Sequence, residues 1–129
     1  MDFVTFEIAT LLREKDYPQA SRETNYIGRK YSPDGELTSA PYANGYACPT
    51  LSETLRWLRE THNIDITITV GLVTIDGTKV KKYFWTPVLF RAGLLTYPMN
   101  FPDGSGEEMA NTFEEACENS IMYCLIKLL

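Results

Sequence analysis

Between residues 65 and 91 the chain carries the one pattern that leaves little choice of structure: apolar residues alternate with polar ones on both sides of an Asp76-Gly77 pair. A period of two puts every second side chain on one face of an extended strand, and Asp-Gly accepts positive φ at both central positions of a type I′ turn. The segment therefore predicts a long antiparallel hairpin. In its first arm, Asp65-Ile-Thr-Ile-Thr-Val70, the residues expected inward are Ile66, Ile68 and Val70, and Leu72 to Ile75 continue the arm. In the return arm, Lys79 to Arg91, the even positions Val80, Phe84, Val88 and Phe90 form the expected core face, with Lys79, Lys81, Tyr83, Trp85 and Arg91 on the other. A strict two-residue turn would set Val70 opposite Tyr83 and Ile68 opposite Trp85, turning those aromatics to the core. One extra residue near Gly71, a bulge that glycine tolerates, sets Ile68 opposite Phe84 instead, and this bulged register is the predicted one.

Three helices flank the hairpin. Val4, Ile8, Leu11 and Leu12 follow helical spacing, predicting a helix over about residues 4 to 15 that ends near Tyr17, because Pro18 disfavours helical geometry in the residue before it. Thr50-Leu-Ser-Glu53 is a capping box, so a second helix starts there, with Leu51, Leu55, Leu58 and His62 on one side. It should close with Asn63 in the left-handed conformation and Ile64 folding back. Thr112-Phe-Glu-Glu115 repeats the capping box and opens a third helix striped by Phe113, Cys117, Ile121, Cys124 and Leu128. Met122, Tyr123, Leu125, Ile126 and Leu129 widen that apolar surface, so this helix is expected to be deeply packed or shared with a second subunit.

The remaining segments are irregular. Ser32-Pro-Asp-Gly35 is a turn signal that supports a short hairpin or a single strand and loop near Tyr26, Ile27 and Tyr31. Residues 40 to 49 hold too many breakers for an element and read as a connecting loop, whereas Leu94 to Met99 predict a third short strand before Pro98 and Pro102 and a loop at 103 to 106. Tyr17, Tyr26, Tyr31, Tyr42 and Tyr46 cluster in the irregular region, where packing is favoured over binding.

At 129 residues, 44% of them apolar, the chain suits one soluble domain over 1–129 and can build a core without disulfide or metal. No apolar run approaches the ~20 residues of a membrane span, and the first residues lack the basic and apolar regions of a signal peptide, so the expected setting is cytoplasmic with no membrane partner. Twelve basic against seventeen acidic residues give a net charge of −5, which argues against nucleic-acid or anionic-membrane binding by bulk charge. Cys48, Cys117 and Cys124 read as reduced, packed thiols.

Candidate chemistry is sparse. The chain's single histidine, His62, is expected at a helix C-terminus, where a positive charge favours the dipole, rather than as a general base. Cys48, a loop thiol, has no neighbour in sequence that would lower its pKa. No zinc spacing, EF-hand or phosphate-binding loop is present, Asp103, Glu107 and Glu108 read as a solvated acidic loop, and no catalytic residue, metal or cofactor is predicted. The charge order is more informative: residues 79 to 91 carry four cations and no acid, whereas 103 to 118 carry six acids and no base. With Tyr83 and Trp85 between the cations, Lys79, Lys81, Tyr83, Trp85 and Arg91 make a candidate stacking and phosphate platform of the kind single-stranded nucleic-acid binders use. A lysine-guarded strand that resists edge pairing, with its aromatics packed under a loop, is the favoured alternative.

The segments TLSETLRWLRETHNID at 50 to 65 and TFEEACENSIMYCLIKLL at 112 to 129, with VTFEIATLLREKDY at 4 to 17, resemble small uncharacterised proteins encoded by phages, prophages and mobile elements of gut bacteria. The resemblance spans most of the chain, although Cys48 stands where alanine or another small residue is expected and residues 71 to 102 make a longer strand region. It implies origin and architecture, with no site residues to carry across. The expected fold is α+β: a helix, a short strand or hairpin, a second helix, a two- to three-stranded antiparallel sheet and a C-terminal helix on that sheet. The expected function is that of a non-enzymatic module that binds an unknown protein or itself, homodimerisation running through the last helix, with single-stranded nucleic-acid binding as the alternative.

Overall fold

The computed structural model describes residues 2–19, 30–38, 45–98 and 108–129. Among them are three α-helices and two antiparallel sheets, so the fold is α+β, with the C-terminal helix packed on the larger sheet. The elements run α1 (Phe6–Glu14), β1 (Lys30–Tyr31), β2 (Leu37–Thr38), β3 (Tyr46–Ala47), α2 (Leu51–His62), β4 (Ile64–Ile75), β5 (Thr78–Arg91), β6 (Leu94–Thr96), β7 (Glu108–Ala110) and α3 (Phe113–Tyr123). A π-helical turn over Cys124–Leu128 follows. The chain divides into two compact units, Met1–Glu53 with Met122–Leu129, and Thr54–Ile121.

In the first unit, Thr5 caps α1 by accepting the Ile8 N–H at 3.2 Å, and Val4, Ile8, Ala9 and Leu12 are buried. The helix stops through backbone chemistry set up just before Pro18. Asp16 takes a left-handed φ of 65°, the Asp16 N–H donates to the Arg13 carbonyl at 3.2 Å, and the Tyr17 N–H donates to the Leu12 carbonyl at 2.9 Å. That pair of bonds is a Schellman motif, and the tyrosine that completes it is buried. The turn at Ser32-Pro-Asp-Gly forms as expected, with the Ser32 N–H donating to the Glu36 carbonyl at 2.8 Å and the Glu36 N–H to Ser32 Oγ at 3.1 Å. It joins β1 to β2, so a hairpin forms.

Two expectations change here. Residues 46 and 47, read as loop, form β3 on the free side of β1, because Phe6 packs edge-on to both Tyr31 and Tyr46 at 5.4 Å and pulls the two segments together. In the C-terminal stripe, Leu125 is buried and Leu128 only partly so, because the Leu129 N–H reaches back to the Cys124 carbonyl at 3.0 Å and the wider turn rotates the last residues. Tyr26, Ile27, Tyr42, residues 40 to 44, Met99 and the loop at 103 to 106 lie outside the described residues.

The second unit is built on the predicted hairpin. Asp76 and Gly77 have φ values of 52° and 78°, as a type I′ turn requires, and a second turn of positive φ at Ala92-Gly93 leads into β6. β5 is central, with β4 along one side and β7 and β6 along successive stretches of the other. The register overturns the expected bulge: Ile75↔Thr78 through Gly71↔Lys82 to Ile64↔Leu89 is an unbroken ladder, and Ile68 faces Trp85, not Phe84. Gly71 serves close approach instead. A Cβ there would sit 3.0 Å from Cε2 of Phe84, so the missing side chain is the space the phenylalanine ring uses.

The strict register reassigns the faces. Ile64, Ile66 and Ile68 share a face with Trp85, Pro87 and Leu89, and Phe113 at the start of α3 meets Tyr83 on that face with ring centroids 6.2 Å apart. The odd positions of β5 therefore look toward α3. Phe90, expected in the core, is exposed, while Val88 is buried on the opposite face. At the other end, Asn63 has φ 55° and accepts the Phe90 N–H at 3.1 Å, and Ile64 is fully buried, as the sequence predicts.

Candidate functional site

Because β5 is regular, Lys79, Lys81, Tyr83, Trp85 and Arg91 do lie on one strand face. They do not form one surface. Lys79, Lys81 and Arg91 are exposed, but Trp85 is only 5% exposed, opposite Ile68 and beside Glu108 of β7, and it separates Arg91 from the lysines. What the fold brings together is Lys81 and Tyr83: the ammonium stands 5.2 Å from the ring centroid while Phe113 meets the same ring edge-on. Lys82, on the opposite face, donates to Asn111 Oδ1.

The thiol and the imidazole are placed by packing. Cys48 is fully buried, its Sγ 3.7 Å from the Val4 carbonyl that also accepts the Tyr31 hydroxyl at 2.7 Å. Burial, followed by the nearby Cys48 sulfur, pushes the Tyr31 phenol up to about 12. Burial alone pushes the Cys124 thiol up to about 12, which keeps it protonated and unreactive. His62 corrects the expectation of a dipole-favoured cation. Its ring packs edge-on to Trp57 at 4.7 Å, its Nε2 is buried with no hydrogen-bond partner among the described residues, and desolvation lowers its pKa below 6.5. Among the described residues, no group of three or more His, Cys, Asp or Glu side chains could hold a metal ion, and no helix is long and apolar enough to cross a membrane.

The exposure that sequence reasoning missed is apolar. Val70 and Leu72 on β4, Phe90 on β5, and Leu94 and Leu95 on β6 are all half or more exposed. Val70 and Leu72 share the face of Tyr83 and Lys81, whereas Leu95 lies beside Phe90 on the opposite face at the other end of β5, and alternation carries no signal of where cover on either face ends. Comparison with protein-family models, with curated proteins and with solved structures finds no match to this chain.

Proposed function

We propose that this chain is a non-enzymatic protein-interaction module, an accessory protein of a phage or mobile element in the terms of its sequence resemblance. The observation that carries the reading is the pair Val70 and Leu72, next to each other on one face of β4 and 58% and 69% exposed. Large apolar side chains adjacent on one strand face and left to solvent mark interaction surfaces more often than scattered ones do. The alternative, single-stranded nucleic-acid binding through Lys79, Lys81, Tyr83, Trp85 and Arg91, draws support from the exposed cations and is weakened by the buried indole and the doubly contacted Tyr83 ring.

A tagged pull-down from bacterial lysate, with and without nuclease, separates the two. The interaction reading predicts a nuclease-resistant protein partner that is lost with a Val70→Lys/Leu72→Lys variant. Nucleic acid retained at low salt, released at high salt and lost with Lys81→Ala would replace it with the alternative.

A further inference from the structure

The two open sides of the hairpin are treated oppositely. Where β7 ends, the stretch of β5 from Thr78 to Lys82 pairs only with β4 among the described residues, and it carries Lys79, Lys81 and Lys82. Lysines on an open edge are a common guard against pairing with another strand. β4 pairs only with β5 among the described residues and runs twelve residues with one charge, Asp65 near its start. From Ile66 to Ile75 it has no charge and no proline, and the unbroken register leaves no bulge to twist the edge away. Its outer N–H and C=O groups are a template for a further strand.

We infer that β4 pairs with β4 of a second copy of this chain, antiparallel, about a two-fold axis normal to the sheet at Gly71. This rests on the interaction reading and names the partner. The edge is its own complement: an axis at Gly71 sets Val70 opposite Leu72 of the second copy, Ile68 opposite Thr74 and Thr69 opposite Val73, so each pair lies on one face of the joined sheet. Val70 and Leu72, exposed in one copy, then cover each other. The paired stretch, Thr67 to Ile75, is about 30 Å long and opposes no like charges. A charged peptide would find no complementary group on this edge. Because a two-fold contact uses the same β4 edge of both copies, the assembly closes at two instead of extending as a fibre.

The test is sedimentation of the full chain from about 1 to about 100 μM, a range suited to a contact at the small end of specific interfaces. Mass should rise toward that of two chains, and amide exchange of β4 should slow as it does. A Val70→Lys/Leu72→Lys variant, which places lysine opposite lysine, should stay monomeric, as should Val70→Glu/Leu72→Glu; an equal mixture of the two should dimerise again. Both positions are exposed, so folding is spared, and wild-type exchange reports independently of the variants. A dimer without slowed exchange in β4, or one that ignores both variants, would overturn the pairing while leaving the interaction reading intact. A chain monomeric throughout that still retains a partner in the pull-down would do the same. A monomer that retains nothing would overturn both.

Discussion

The inner and outer halves of the β4–β5 hairpin share a ladder, a register and a sequence pattern, yet they live in different solvents. At the inner end Ile64 is fully buried, and Trp85 to Leu89 are buried on both faces. At the outer end Val70, Leu72 and Ile75 stand in water beside Lys79 and Lys81. Identical backbone pairing therefore supports two separate jobs. Apolar burial at the inner end stabilises the second unit, whereas the outer end spends the same residue types on display. The contrast sets the proposed interaction surface where the fold loses least by having it.

The largest expected difference is in stability. Ile64→Ala removes a fully buried side chain and should cost about 2–5 kcal/mol. Leu72→Ala, eight residues further along the same face but exposed, should change stability by no more than about 0.5 kcal/mol. Urea unfolding midpoints of the two variants at matched slope check this; equal losses would show that the outer half is covered in solution. Gly71→Ala comes next, where the halves meet. Its Cβ would press to 3.0 Å on the Phe84 ring, for a cost of about 1–3 kcal/mol, and Gly71→Ala/Phe84→Leu should recover part of it. A bulged register would make the single change nearly silent. At the tip, Gly77→Ala must hold alanine at φ 78°, with nothing within 4 Å to clash, and should cost about 1 kcal/mol through backbone strain alone.

What could be read from the sequence was what short-range chemistry decides. The Thr50 cap forms, its Oγ1 accepting the Glu53 N–H at 3.1 Å and donating to the Glu53 carboxylate at 3.0 Å. The turn at Asp76-Gly77, the Asn63 stop and the α+β class were legible for the same reason: each is set within a few residues. What was not legible depends on contacts far along the chain. Gly71 was ambiguous because a glycine in a strand signals either a bulge or a close neighbour, and only Phe84, thirteen residues on, decides between them. That one choice reversed the core face and buried Trp85 out of the candidate platform. β7 was missed because Glu108–Ala110 has no alternation of its own and becomes a strand by pairing with Tyr83–Trp85.

The smallest effect is also the finest probe of the inner end. His62 precedes Asn63, whose carbonyl anchors Phe90, and two influences compete on its ring: the helix C-terminus favours the cation, and burial disfavours it. Burial wins, so the folded value lies below 6.5. As pH falls, the unfolded chain takes up its proton first. The stabilisation is therefore fully present above 6.5 and is lost as pH drops toward the folded value. The chain has one histidine, so its ring resonances report a single titration. The midpoint should lie below 6.5 in the wild type and stay there in Leu72→Ala, which alters only the displayed half. Ile64→Ala loosens packing two residues from the ring and should move the midpoint back toward 6.5. A wild-type midpoint at or above that value would mean that the helix terminus outweighs burial, and that the inner end is wetter than its packing indicates.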